Sequence, residues 1–180
     1  MSKKKLEEKT LHSDLIFQGR FIKVLRDQVE LPDGGIGHRE YILHPGAAAI
    51  LPVLETGEIL LVEQYRHALK KVFLEIPAGK RDKGEAPEKT ASRELIEETG
   101  YTAGRFELMT LIHPVIGYAD EEIYLYRATE LIPGPQKLDP GEFLEVKKFT
   151  SDELKEKVHR GEITDVKTLI SLLWHWRTHG

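Results

Sequence analysis

Gly79-Lys-Arg-Asp-Lys-Gly-Glu85-Ala-Pro87-Glu-Lys-Thr-Ala-Ser-Arg93-Glu94-Leu-Ile-Glu97-Glu98-Thr-Gly100-Tyr101 holds one helix and three carboxylates that share a side of it. Pro87 suits the first helical turn, Ala91 and Leu95 supply an apolar strip, and Gly100 suits the position just past the end. The spacing predicts a helix over 87–99. Glu94, Glu97 and Glu98 then stand at i, i+3 and i+4 on one face, where like charges oppose helix formation and raise one another's pKa unless a cation neutralises them. Arg93, four residues ahead of Glu97, can pair with it, which leaves Glu94 and Glu98 projecting together. Hard divalent cations prefer oxygen donors, and Mg²⁺ keeps waters and bridges to phosphates, so two carboxylates one turn apart make a seat for it. On composition alone, the same residues also fit a charged, solvated helix face.

Around this helix the chain reads as short strands. Ile22, Val24, Val29 and Leu31 alternate in part between Phe21 and Leu31; Pro32-Asp33-Gly34-Gly35 turns the chain, and Ile36 to Leu43 returns. Ala47 to Leu54 and Glu58 to Tyr65 are apolar runs on either side of Glu55-Thr56-Gly57, read as a deeply buried hairpin. Val72 to Ile76, Phe106 to Ile112, Glu122 to Ala128 and Val146 to Phe149 complete the strands. Two helices close the chain. Thr150-Ser-Asp-Glu153 is a capping box for the first, and Val166, Leu169, Ile170, Leu173 and Trp174 form the apolar stripe expected to bury the second, with Trp174 and Trp176 as packing residues. Together these predict an α+β or α/β sandwich around a mixed sheet.

Composition bounds the function. The chain has 180 residues, room for one domain or one domain with a small appendage, and carries 26 basic against 30 acidic residues, so its net charge of −4 offers no footprint for nucleic acid. It contains no cysteine, hence no disulfide framework, thiolate metal site or cysteine nucleophile, a composition compatible with a reducing cytosol. No apolar run approaches the roughly 20 residues of a membrane span, and the charged start, with Lys3, Lys4 and Lys5, reads as a solvated terminus without the apolar core of a signal peptide. The eight histidines show no zinc-like spacing; His44, His67 and His113 read as ordinary polar or packing residues.

Five residues separate Gly79 from Glu85, and seven more lead to Arg93 and Glu94-Leu95-Ile96-Glu97-Glu98-Thr99-Gly100. This spacing resembles the Nudix box, GX5EX7REUXEEXGU, in which U is a bulky apolar residue. Gly79, Glu85, Arg93, Glu94, Leu95, Glu97, Glu98 and Gly100 match; the last U is Tyr101 rather than an aliphatic residue. Outside the box, Glu63-Gln64-Tyr65-Arg66, Glu75-Ile76-Pro77-Ala78-Gly79, and Pro114 followed by Gly117-Tyr118-Ala119-Asp120-Glu121 are similar to the ADP-ribose pyrophosphatase group, over about Phe21 to Leu144. His113-Pro-Val-Ile-Gly117 departs from the tighter Ser-Pro-Gly arrangement of ADP-ribose enzymes.

The resemblance implies an α+β fold, a Nudix α/β/α sandwich with a mixed sheet over residues 46–180, preceded by antiparallel strands in residues 1–45 that swap across a homodimer. It implies Mg²⁺-dependent hydrolysis of a nucleoside diphosphate sugar, ADP-ribose first, with Mn²⁺ as a substitute metal, in the cytoplasm and without nucleic-acid or membrane partners. By the same resemblance, Glu94 and Glu98 are the chief metal ligands, Glu97 a further ligand direct or through water, and the Ala78 carbonyl a backbone ligand. Arg93 orients the glutamates, and Gly79 and Glu85 fix the loop. Arg66, Arg39 and Glu75 are substrate-binding candidates. Glu142 is the candidate base or extra metal ligand, in a loop whose Pro140 and Gly141 depart from the more acidic loops of relatives; Asp139, Glu145 and Glu97 are its rivals for the base. GDP-mannose or ADP-glucose hydrolysis, and a catalytically silent ligand-binding regulator, are the alternatives.

Overall fold

The computed structural model describes residues 6–179. The lysines at 3–5, expected to form a solvated terminus, lie outside the described residues. The chain divides into two compact units: one runs through Pro45 and includes Val115–Glu121, and the other comprises Gly46–Pro114 and Glu122–Gly180.

The N-terminal unit is an antiparallel sheet in the order β1 (Lys9–Gln18), β2 (Lys23–Glu30), β3 (Ile36–Leu43). The strands on either side of Pro32–Gly35 form as expected. β1 carries little alternation and the sequence did not mark it out. Val115–Glu121 belongs to this unit through hydrogen bonds along β3: Ile42 N–H donates to the Tyr118 carbonyl at 2.8 Å, Asp120 N–H to the Ile42 carbonyl at 3.2 Å, and His44 N–H to Asp120 Oδ1 at 2.7 Å.

The second unit is an α/β/α sandwich. Its mixed sheet runs β7 (Ala78–Lys80), β4 (Ala47–Pro52), β9 (Ile123–Pro133), β8 (Tyr101–Ile112), with β4 and β9 parallel; a second, antiparallel sheet runs β10 (Leu144–Phe149), β5 (Ile59–Arg66), β6 (Lys71–Glu75). β4 shows why its sequence is apolar throughout: Ala47, Ala49 and Leu51 join a core with Ile59 and Leu61 of β5 and the later helices, while Ala48 and Ile50 turn to Ala91 and Leu95. A strand covered on both faces needs no polar alternation.

The hairpin read at Glu55-Thr56-Gly57 is corrected. The turn exists, with Leu54 N–H on the Glu58 carbonyl at 2.8 Å and Gly57 at φ 86°, but only the Val53–Ile59 bridge joins the two strands before they part into different sheets. Continuous apolar runs carry no register information, so the true neighbours of β4, namely β7 and β9, were invisible locally. β8 also begins at Tyr101, earlier than Phe106, and β9 runs past Ala128 to Pro133.

Among the described residues, three helices cover the sheets of this second unit: α1 (Pro87–Glu94), continued by a π-helical turn (Leu95–Thr99), α2 (Ser151–His159) and α3 (Val166–His179). The capping box of α2 forms, Thr150 Oγ1 accepting from Glu153 N–H and Glu153 Oε2 accepting from Thr150 N–H. The stripe read for α3 is corrected. Leu169, Ile170 and Trp176 pack on the core, but Val166, Leu173 and Trp174 (42% exposed) face outward, and Lys167, Thr168, Ser171, Leu172 and His175 are buried instead. The helix is turned by polar contacts at its start: Thr168 Oγ1 accepts from Ile76 N–H at 2.9 Å, and Lys167 reaches Glu75. His175 tolerates its position by staying neutral, its pKa pushed down to about 4 by burial and by the Arg127 and His179 charges. No described helix is long and apolar enough to cross a membrane.

Candidate active site

The α1 helix presents its carboxylates to the loop that enters it. Glu94 is 9% exposed and Glu98 is 2% exposed, whereas Glu97 is half-buried. The three therefore do not share one environment. The widened π turn carries Glu97 and Glu98 away from regular α-helical spacing, a type of irregularity frequent at functional sites. Gly100, in the left-handed conformation at φ 76°, ends it, and any Cβ there would lie 2.5 Å from the Gly134 carbonyl oxygen.

Arg93 sits at the hub. Its Nη1 donates to Glu94 Oε1 at 2.7 Å and to Glu97 Oε2 at 2.9 Å; its Nε and Nη2 reach Glu85 at 3.3 and 3.1 Å, and Nη2 also reaches the Lys80 carbonyl at 3.1 Å. The guanidinium, with help from Thr90 and the Asp82 N–H, holds the Glu85 carboxyl down to about 2, and Glu85, Glu94 and Glu97 hold Arg93 charged well above its ordinary value.

Glu94 lies over Gly79 so closely that a Cβ built there would stand 1.8 Å from Oε1. Glu98 Oε2 accepts from Ala78 N–H at 3.1 Å. Burial, followed by the Glu94 charge and then the more distant Glu142 charge, pushes the Glu98 carboxyl up to about 8; burial raises Glu94 too, against the pull of Arg93. Two buried carboxylates whose charged forms are disfavoured, beside a glycine cradle, form a hard-oxygen donor set that a divalent cation would relieve. Among the described residues, no three histidine, aspartate or glutamate side chains converge tightly enough to cage an ion by themselves. That arrangement suits a cation that keeps waters and takes the rest of its ligands from a phosphate.

The outer residues fall into separate places. Arg66 forms a fork on Glu75, Nε to Oε1 and Nη2 to Oε2, each at 2.7 Å, and lies within the electrostatic reach of Glu98. Glu75, 2% exposed, also meets Lys167; burial works to raise its pKa, but Arg66 and Lys167 outweigh that and hold it below its ordinary value. Both of its oxygens are engaged by the protein's own cations. Arg39 lies in the N-terminal unit, bonded to Glu8 and to the His38 carbonyl. In the loop before β10, Glu142 is exposed and takes a 3.4 Å contact from Asp139 N–H, whereas Glu145 pairs with Lys147 at 2.7 Å, which lowers its pKa. The same loop is tied to the π turn by Gln136 Nε2 on the Glu98 carbonyl (2.5 Å) and Lys137 N–H on the Glu97 carbonyl (3.0 Å).

Sequence reasoning missed Lys167, Asp165 and Gln136. Asp165 carried a signal, since an aspartate directly ahead of an apolar-periodic run reads as an N-cap; a lysine inside that run and a glutamine in a loop carried none.

The family model described as NUDIX domain matches residues 43–169, and that described as nucleoside diphosphate sugar hydrolase N-terminal domain matches residues 8–42. The chain is 43% identical over 171 residues to the ADP-ribose pyrophosphatase of Bacillus subtilis (strain 168), covering 94% of this chain and 92% of that protein. The same identity and coverage relate it to the methanol dehydrogenase activator of Bacillus methanolicus. The crystal structure of an ADP compounds hydrolase shares the fold, with a TM-score of 0.86 at 20% identity, over 98% of this chain and 96% of that one.

Proposed function

This chain belongs to the Nudix family, and we propose that it cleaves the pyrophosphate linkage of nucleoside diphosphate sugars with Mg²⁺, ADP-ribose being its preferred substrate and AMP and ribose 5-phosphate its products. It is a Nudix pyrophosphatase; the choice of sugar and of metal is the proposal. The observation that carries it is the buried Glu94–Glu98 pair, Glu94 lying over Gly79 and held by Arg93, Glu98 held by the Ala78 N–H.

A bound divalent cation would neutralise the diphosphate and lower the pKa of a coordinated water. Glu94, Glu98 and the Ala78 carbonyl are the residues to hold it, with Glu97 acting through water and Mn²⁺ able to replace Mg²⁺. Arg93 fixes Glu94 and Glu97. Arg66 presents its remaining donors to phosphate oxygens, held in direction by Glu75. Glu142 is the candidate base: its charge acts on both Glu94 and Glu98, whereas its rival Glu145 is occupied by Lys147.

A homodimer is part of the proposal. β1 leaves Leu11, Leu15, Ile16 and Phe17 exposed, with Phe21 and Ile36 exposed elsewhere in the same unit, an apolar surface of the kind a second copy covers. A cytoplasmic location fits a chain without cysteine.

Turnover of ADP-ribose, ADP-glucose and GDP-mannose by purified protein with Mg²⁺ tests the assignment. The expected result is AMP release with the highest kcat/KM for ADP-ribose. Preference for GDP-mannose or ADP-glucose moves the specificity elsewhere within the class. Release of no nucleoside monophosphate from any of the three contradicts the enzyme reading and favours a ligand-binding regulator.

A further inference from the structure

We infer that Lys167, at the start of α3, is a positioning residue for diphosphate recognition: buried between Glu75 and Asp165, it fixes the carboxylate that aims the Arg66 guanidinium. This rests on the function proposed above, in which Arg66 binds phosphate.

The geometry is a line of alternating charge. Asp165 stands just ahead of α3 and accepts from Thr168 N–H at 2.9 Å, in the manner of an N-cap, and from Thr168 Oγ1 at 2.6 Å. Lys167 Nζ meets Asp165 Oδ2 at 3.0 Å and bonds Glu75 Oε2. Glu75 in turn takes both arms of the Arg66 fork. Three of these four groups are strongly shielded, while the Arg66 side chain is 42% exposed, so only the last member of the line opens to solvent.

Two physical consequences follow. Glu75 is shared between two cations, so the positive charge of Arg66 is not spent on a single carboxylate and stays available to an anion. The fork is also pinned: an ammonium with three donors locks Oε2, and a locked carboxylate leaves a planar guanidinium one orientation. Beside this line, Thr168 Oγ1 accepts from Ile76 N–H, and the chain proceeds through Pro77 to Ala78, whose N–H donates to Glu98. The start of α3 thus braces both the arginine and the strand end beside the glutamates. A lysine whose only task was to anchor α3 would not need to meet the carboxylate that carries Arg66.

The test uses the full chain with Lys167→Met, Lys167→Arg and Lys167→Gln, each also combined with Arg66→Met. Affinity for inorganic pyrophosphate with Mg²⁺ is measured by calorimetry, and KM and kcat for ADP-ribose by product release. Lys167→Met should weaken pyrophosphate binding and raise KM by about tenfold, with kcat within about twofold, and Lys167→Arg should restore most of the loss. In the Arg66→Met background the same change should add almost nothing, because the effect passes through Arg66. Should thermal melting show Lys167→Met unfolded, Lys167→Gln, which keeps an N–H donor on a shorter, uncharged side chain, carries the same expectation. Unchanged pyrophosphate affinity, a loss undiminished in the Arg66→Met background, or no binding by the wild-type chain overturns the inference. Failure of the underlying function is separate: it appears as wild-type protein that does not turn over any nucleoside diphosphate sugar.

Discussion

Glu98→Gln is expected to lower turnover of ADP-ribose by at least about a thousandfold while leaving the protein folded, with a melting temperature equal to or above that of the wild type in the absence of metal. The two halves of this result have one cause. Glu98 is almost fully buried, close to Glu94, and its carboxyl is pushed up to about 8 by that burial and that neighbour. The fold therefore gains nothing from the charge. Glutamine keeps the shape and can still accept from Ala78 N–H, so the link between the helix and the strand survives. What disappears is the anionic oxygen that draws a hard cation. Steady-state kinetics beside a thermal melt in chelator separates the effects; a variant within about tenfold of wild-type activity would remove Glu98 from the mechanism.

Gly79→Ala should be nearly as damaging by a steric route. The added methyl would lie 1.8 Å from Glu94 Oε1 and 1.9 Å from its Cδ, far inside van der Waals contact. Neither side can yield cheaply. Glu94 is held by Arg93 at 2.7 Å on a helix whose Ala91 and Leu95 are fully buried, and Gly79 is paired with Ala48 in the sheet. Either the carboxylate leaves its place or β7 separates from β4. A displacement on the scale of an ångström costs catalysis about a hundredfold, and the overpacking costs about 1–3 kcal/mol of stability. The checks are kcat/KM and urea unfolding; full activity would mean that Glu94 is free to move without consequence.

The helix at 87–99 and its carboxylates were legible because their information is local. Pro87, Gly100 and the spacing from Arg93 to Glu98 each act within a turn or two, and the ends of the helix formed where those residues placed them. The capping box of α2 was legible for the same reason. What escaped was set by partners far along the chain. The Ala47–Leu54 run looks the same whether it pairs with β5 or, as it does, with β7 and β9. The stripe on α3 was misread because Lys167 and Thr168 bury by finding Glu75 and the Ile76 N–H some 92 residues earlier, contacts no periodicity can reveal. The two cations that meet Glu75 are hidden for a related reason: its neighbours in sequence do not disclose Arg66 and Lys167 as its partners. The π turn, which separates the surroundings of Glu97 from those of Glu98, has no sequence signature in Leu95–Thr99 that distinguishes it from an ordinary helical turn.

The most direct measurement is a crystal structure of this protein with Mg²⁺ and a non-hydrolysable ADP-ribose analogue. An ion about 2.0–2.1 Å from a carboxylate oxygen of Glu98, coordinated as well by Glu94 and by an oxygen of the diphosphate, is the predicted result. A bound analogue whose diphosphate lies away from Glu94 and Glu98, with no ion between them, would contradict the account.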